Sequence, residues 1–170
     1  MKNQSLFLKN VMALAIALMF FVVLGFARAE ASVRVEKVAS YDLTPEQIET
    51  VLEDVFTKLA AFDAQGVVSH FAADAVVEDP VGTPPIQGTQ AITSYLQSFP
   101  ALFKQIKLHS LDVTVCGQEA AVKWRLRFKT QAGNVFFLDG IGIFKFNPEG
   151  KIQSEREFFD LAYFLSQLQG

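Results

Sequence analysis

From Thr44 onward the chain alternates between two hydrophobic periods, and the change from one to the other divides it in half. Thr44-Pro45-Glu46-Gln47 opens a helix: Thr44 can cap, Pro45 suits the first turn and Gln47 can close a capping box. Ile48, Val51, Leu52, Val55, Phe56, Leu59 and Phe62 follow at three- and four-residue steps, which predicts one buried helical face. Asp63 can cap a second, shorter helix burying Val67, Val68 and Phe71. Ala75 to Asp79 reads as a short strand, Pro80 to Gly88 as a loop. A third helix is predicted from about Thr89 to Phe99, with Ile92, Tyr95, Leu96 and Phe99 inward and Pro100 ending it.

Beyond Pro100 the period becomes alternating. Lys104–Val115, Ala120–Thr130, Val135–Phe146 and Lys151–Phe159 read as strands, joined by turns at Gly117-Gln118, Gln131–Asn134 and Asn147–Gly150. In the second of these, Val122, Trp124, Leu126 and Phe128 face one side, while Lys123, Arg125, Arg127 and Lys129 form a wet or subunit-facing surface. The third is apolar on both faces, with Leu138, Phe144 and Phe146 on one and Phe137, Ile141 and Ile143 on the other. One set of helices covers only one face, so the second predicts a homodimer through the sheet. The last strand has two possible phases. One turns Glu155, Glu157 and Phe159 inward; the other turns Ile152, Ser154, Arg156 and Phe158 inward and buries Arg156. A short helix over Asp160–Leu168 closes the chain.

Composition alters this picture at the N-terminus. Residues 1–29 combine Lys2 and Lys9, the uncharged run Val11–Phe26 and the site Ala27-Arg28-Ala29, the three parts of a secretory signal peptide. The predicted destination is the periplasm or the exterior, with a retained N-terminal membrane anchor as the alternative. Residues 30–42 read as a linker or arm, and 43–170 as one domain. Removal of Lys2, Lys9 and Arg28 would take the net charge from −3 to −6. That balance disfavours nucleic acid and anionic lipid as partners, and no stable membrane association is expected once the leader is cleaved. Cys116 stands alone, so no internal disulfide can form.

Three helices, an early strand and a long antiparallel sheet resemble the nuclear-transport-factor-2-like superfamily. The stretch Phe71–Gly88, FAADAVVEDPVGTPPIQG, is similar to the signature of steroid Δ-isomerases (ketosteroid isomerases) and their SnoaL-like relatives. The tail, through Gly150-Lys151-Ile152, Phe158-Phe159-Asp160 and Leu165–Gly170, resembles the end of many SnoaL-like domains. The resemblance covers roughly residues 43–170. It implies an α+β fold in which a cone-shaped, curved, mixed or antiparallel sheet wraps about three helices around a hydrophobic pocket. It also implies that Asp79 of the EDP motif is a general base for a small hydrophobic carbonyl compound. Burial at a strand end would raise its pKa toward a useful range, although an Asp-Pro pair can also simply start a turn.

The pattern departs from steroid isomerases at the two groups that hydrogen-bond the developing oxyanion. Counting back from Asp79 puts the tyrosine's place at Val55; aligning the late strand on Phe146 puts the aspartate's place at Gly142. Neither side chain can donate, and one such donor is worth a hundred- to a thousandfold in rate, so steroid Δ-isomerase activity is not expected. Asp139 falls on the opposite face from Gly142. Pocket-lining candidates are Val55, Phe56, Trp124, Gly142, Phe144, Glu155, Glu157 and Phe159, with Trp124, Phe128, Phe136 and Phe144 serving the core first. His70 and His109 lack a third ligand, so neither a metal nor another cofactor is expected. Three functions fit: an isomerase- or cyclase-type enzyme, a binding protein for a small hydrophobic ligand, and a dimeric association domain.

Overall fold

The computed structural model describes residues 43–169; the expected signal peptide and arm, and Gly170, lie outside them. Helix α1 spans Pro45–Ala60. Its capping box is complete: the Gln47 backbone N–H donates to Thr44 Oγ1 at 3.3 Å, and Gln47 Oε1 accepts from the Thr44 N–H at 2.8 Å. Ile48, Leu52 and Val55 form its buried stripe. Asp63 then caps α2, Ala64–Val68, by accepting from the Gly66 N–H at 2.9 Å.

Three local expectations are corrected here. Phe71 is buried, but as the first residue of strand β1, Phe71–Glu78, because α2 stops at Val68 with Ser69 as its C-cap. The helical spacing of Val67, Val68 and Phe71 was therefore coincident with burial from two different elements. The 80–88 segment is not all loop: Ile86–Gln87 forms β2 and pairs antiparallel with Val77 and Val76. Pro100 does not terminate the helical region. Helix α3, Thr89–Gln97, is followed by a one-turn α4, Phe99–Leu102, with Pro100 in its first turn, where a missing N–H costs nothing.

Strands β3 (Phe103–Cys116), β4 (Glu119–Thr130), β5 (Val135–Phe146) and β6 (Ile152–Phe158) form an antiparallel meander, and α5, Leu161–Leu168, follows with Asp160 as its cap. The sheet order is β2-β1-β6-β5-β4-β3. Strand β1 lies parallel to β6, so the first and last long strands are neighbours in a curved, unclosed, mixed sheet.

The inner face of the sheet meets α1 and carries the core. Val122, Trp124 and Phe128 of β4 alternate inward as their period predicts, as do Phe136, Leu138, Phe144 and Phe146 of β5. Phe103, Phe128, Phe136 and Phe164 pack ring to ring, with centroids 4.6 Å (Phe103–Phe128) and 5.0 Å (Phe128–Phe136) apart. On the other face Phe137 is 52% exposed and Ile141 46% exposed.

The two phases of the last strand each hold over part of it. Phe146 pairs with Ile152 but Lys145 pairs with Ser154, so β6 carries an extra residue at Gln153. Ile152 is inward before this bulge, and Glu155 and Glu157 are inward after it. Arg156 is exposed, paired with Glu78 at 3.3 Å. No helix among the described residues is long and apolar enough to cross a membrane.

Candidate active site

The parallel pairing of β1 with β6 sets Val77 against Glu155 and Glu78 against Arg156. Asp79, just past the end of β1, is thereby brought level with Glu157, and the Val81 N–H donates to the Glu157 carbonyl at 2.8 Å. The Asp79–Pro80 peptide is cis. Three carboxyl groups from the two strands thus share one cavity, of about 200 Å³, whose other walls are aromatic and aliphatic in about equal measure. Phe56 comes from α1, Tyr95 from α3, Phe103 from β3, Trp124 from β4, and Phe159 and Phe164 from the C-terminal segment.

Each carboxyl has different partners. The Tyr95 hydroxyl donates to Asp79 Oδ2 at 2.8 Å. The Trp124 indole N–H donates to Glu157 Oε2 at 2.7 Å. Glu155 interacts with the Glu157 carboxyl and has no neutral donor of this kind. Burial raises the pKa of all three, because an apolar cavity disfavours the charged form. Asp79 is raised by burial, against the opposing hydrogen bond from Tyr95. Glu155 is held well above the usual carboxylate range, first by burial and then by the neighbouring Glu157 and Asp79 charges. Glu157 is pushed up to about 7, by burial first and by Asp79 second, with the Trp124 N–H pulling it back. Tyr95 is raised by burial and by the Asp79 charge, so it stays a hydroxyl donor. Glu155 is therefore the group that keeps its proton, while Asp79 has the Tyr95 hydroxyl, and Glu157 the Trp124 N–H and the Glu155 carboxyl, as donors ready for a negative charge.

Space for this arrangement comes from two bare positions on β5. A Cβ on Gly140 would lie 2.2 Å from the Trp124 ring, and one on Gly142 would lie 2.5 Å from Glu157 Oε1 and 2.7 Å from the Phe144 ring. Gly142, opposite Glu157 in the register, leaves room for a carboxyl that reaches across from the next strand.

Of the candidates named from the sequence, Asp79, Phe56, Trp124, Glu155, Glu157 and Phe159 line the cavity. Val55, Gly142 and Phe144 do not, and are corrected as lining residues. Val55 is one residue round the helix from Phe56 and points into the core. Phe144 is 1% exposed and sits behind Phe56, edge to face at 6.1 Å. Gly142 has no side chain to present and acts as the seat of Glu157. Asp139 is on the outer face, where its carboxylate accepts two hydrogen bonds from Arg125 at 2.6 and 2.7 Å. His70 is bound to Asp54 at 2.7 Å, away from the cavity. No group of three or more His, Cys, Asp and Glu side chains among the described residues is placed to hold a metal ion. Sequence reasoning overlooked Tyr95 as a partner of Asp79; its inward helical phase was visible, but the carboxylate it meets is supplied by a different element.

A protein-family model described as a SnoaL-like domain matches residues 52–155, a span that includes Asp79, Tyr95, Trp124 and Glu155. Among solved structures, the chain is similar to SalBIII, described as an epoxide hydrolase/cyclase-like enzyme in pyran ring formation in the polyether salinomycin. The two are 23% identical with a TM-score of 0.62, over 69% of this chain and 93% of that one, a likeness of fold. The family match over most of the domain and the shared architecture lead to one assignment: the chain belongs to the SnoaL-like family.

Proposed function

We propose that the chain is an acid–base enzyme of the isomerase or cyclase type, acting on a small hydrophobic molecule. In this reading Asp79 removes a proton and Glu157 delivers one. The observation that carries it is the cavity in which Asp79 and Glu157 both face the interior, Asp79 with the Tyr95 hydroxyl and Glu157 with the Trp124 N–H as a neutral donor. A carboxyl near pH 7 in its titration can serve as acid or base at neutral pH, which a carboxylate in water cannot do efficiently. Glu155, protonated beside them, supplies a further hydrogen-bond donor to the site, and its bond to Glu157 pulls that pKa back against burial and the Asp79 charge.

The size of the cavity argues against steroids as well. A dry cavity of about 150 Å³ accommodates benzene, so about 200 Å³ suits a ligand with somewhat more than six heavy atoms, not a four-ring skeleton. The late-strand carboxyl missing at Gly142 nonetheless has a counterpart in Glu157, whose Oε1 occupies the space above that glycine.

The test is a turnover assay of the purified domain with small epoxy alcohols and small β,γ-unsaturated ketones. Asp79→Asn and Glu157→Gln should each lower the rate by roughly a hundred- to ten-thousandfold, the usual worth of a positioned acid or base. Variants that turn over as fast as the parent, or a parent with no turnover, would leave a ligand-binding pocket. Export of the chain and pairing of two copies through the outer sheet face belong to the same proposal. Glu30 as the first residue of the exported protein, read by N-terminal sequencing, is the expected outcome for the first.

A further inference from the structure

The charge around the cavity is one-sided. Its polar lining consists of the Asp79, Glu155 and Glu157 carboxyls, the Tyr95 and Ser98 hydroxyls and the Trp124 N–H. None of its lining residues, among those described, is lysine, arginine or histidine. The nearest basic residue in sequence, Arg156, lies between the two glutamates and so points to the opposite face, where it pairs with Glu78 and lies over the Phe158 ring, 5.4 Å from its centroid. The two neutral donors are already used, Tyr95 on Asp79 and Trp124 on Glu157, and the Ser98 hydroxyl is turned to the Tyr95 carbonyl at 2.6 Å. What still faces the interior is carboxyl oxygen, aromatic rings and the uncharged side chains of leucine and isoleucine. The first two attract positive charge, and ring faces do so most strongly where water is excluded. A negative charge arriving in the same space would meet only the protons that the acids themselves hold.

We propose that this pocket selects positive charge: its preferred small ligands are hydrophobic amines bound as ammonium ions. The raised pKa values agree with this arrangement, since the empty pocket keeps protons that a bound cation would displace. Amine binding should therefore release protons and tighten as the pH rises from about 6 to about 8, across the Glu157 titration near 7.

The experiment compares cyclohexylamine, cyclohexanol and cyclohexanecarboxylate, which share a ring that suits the cavity and differ in charge. Binding is read from the emission of Trp124, the only tryptophan of the chain, whose N–H rests on Glu157, and by calorimetry in non-amine buffer at pH 6, 7 and 8. The expected result is an amine at least tenfold tighter than the alcohol at pH 8, a weaker preference at pH 6, and no measurable binding of the carboxylate. Glu157→Gln should lower amine affinity at pH 8 at least tenfold and remove its rise between pH 6 and pH 8. Asp79→Asn provides the same comparison should the first variant fold poorly. An alcohol or carboxylate that binds as tightly as the amine overturns the inference, and so does failure of all three to bind. Turnover plays no part in these measurements, so the acid–base function can fail while the charge preference stands, and the reverse.

Discussion

Replacing Glu157 by glutamine should change how the stability of the domain depends on pH. Glu157 is 8% exposed, and its pKa lies at about 7 in the folded chain against an ordinary value of 4.5. A carboxyl raised by folding binds its proton more tightly in the native state than in the unfolded one. Stability must then fall as the pH rises through the interval between the two values, from about 4.5 to about 7, and level off above it. At 1.36 kcal/mol per unit, that interval corresponds to on the order of 3 kcal/mol from this one side chain. Asp79 and Glu155 are shifted in the same direction and steepen the fall. Asp54 and Asp139 are lowered by their cationic partners, so their stabilisation is lost only on acidification below the ordinary aspartate value of 3.8, outside the interval. Urea unfolding at pH 5, 6, 7 and 8, followed by circular dichroism, measures the curve. The parent should lose at least about 3 kcal/mol between pH 5 and pH 8, and Glu157→Gln should remove about that much of the slope while keeping an acceptor for the Trp124 N–H. A parent whose stability is level or rises from pH 5 to pH 8 would refute the reasoning about the carboxyl cluster.

Other expected outcomes follow from single contacts. Gly142→Ala places a Cβ 2.5 Å from Glu157 Oε1 and 2.7 Å from the buried Phe144 ring, so it should destabilise by about 1–3 kcal/mol, by urea unfolding, and disturb the pH response of Trp124 emission. Tyr95→Phe removes the one donor to Asp79; the Asp79 pKa should rise further, and the alkaline shift should be visible in a carboxyl-labelled NMR titration. Ile141→Lys, on the half-exposed outer face of β5, should convert a dimer to a monomer in sedimentation with little loss of monomer stability.

The elements were legible where a period ran long enough to be unambiguous. α1, with six apolar positions at helical spacing and a complete capping box, and the alternating strands β4 and β5 are of this kind. Reading failed where a short segment could satisfy two periods, as with Phe71, whose spacing suits a helix that ends at Val68. β6 defeated a single-phase reading because an extra residue at Gln153 shifts the pleat near the start of the strand, and nothing in the local sequence announces it. Asp79 was found through its motif and Glu157 only as one of two phases. That Gly142 is empty so that Glu157 can occupy its space is a relation between strands; in sequence it looks like a lost side chain.

The adjacency of β1 and β6 has a temporal consequence. Asp79 enters the chain early and Glu155 and Glu157 almost last, yet they meet only when the final strand docks between β1 and β5. Without that docking the three carboxyls are not brought together. Such long-range pairing closes late because the entropy of bringing distant segments together must be overcome first. A ribosome-bound or C-terminally shortened chain without a docked β6 would thus have no carboxyl cluster however well β3, β4 and β5 had paired, and the candidate site comes into being only when the last strand is in place.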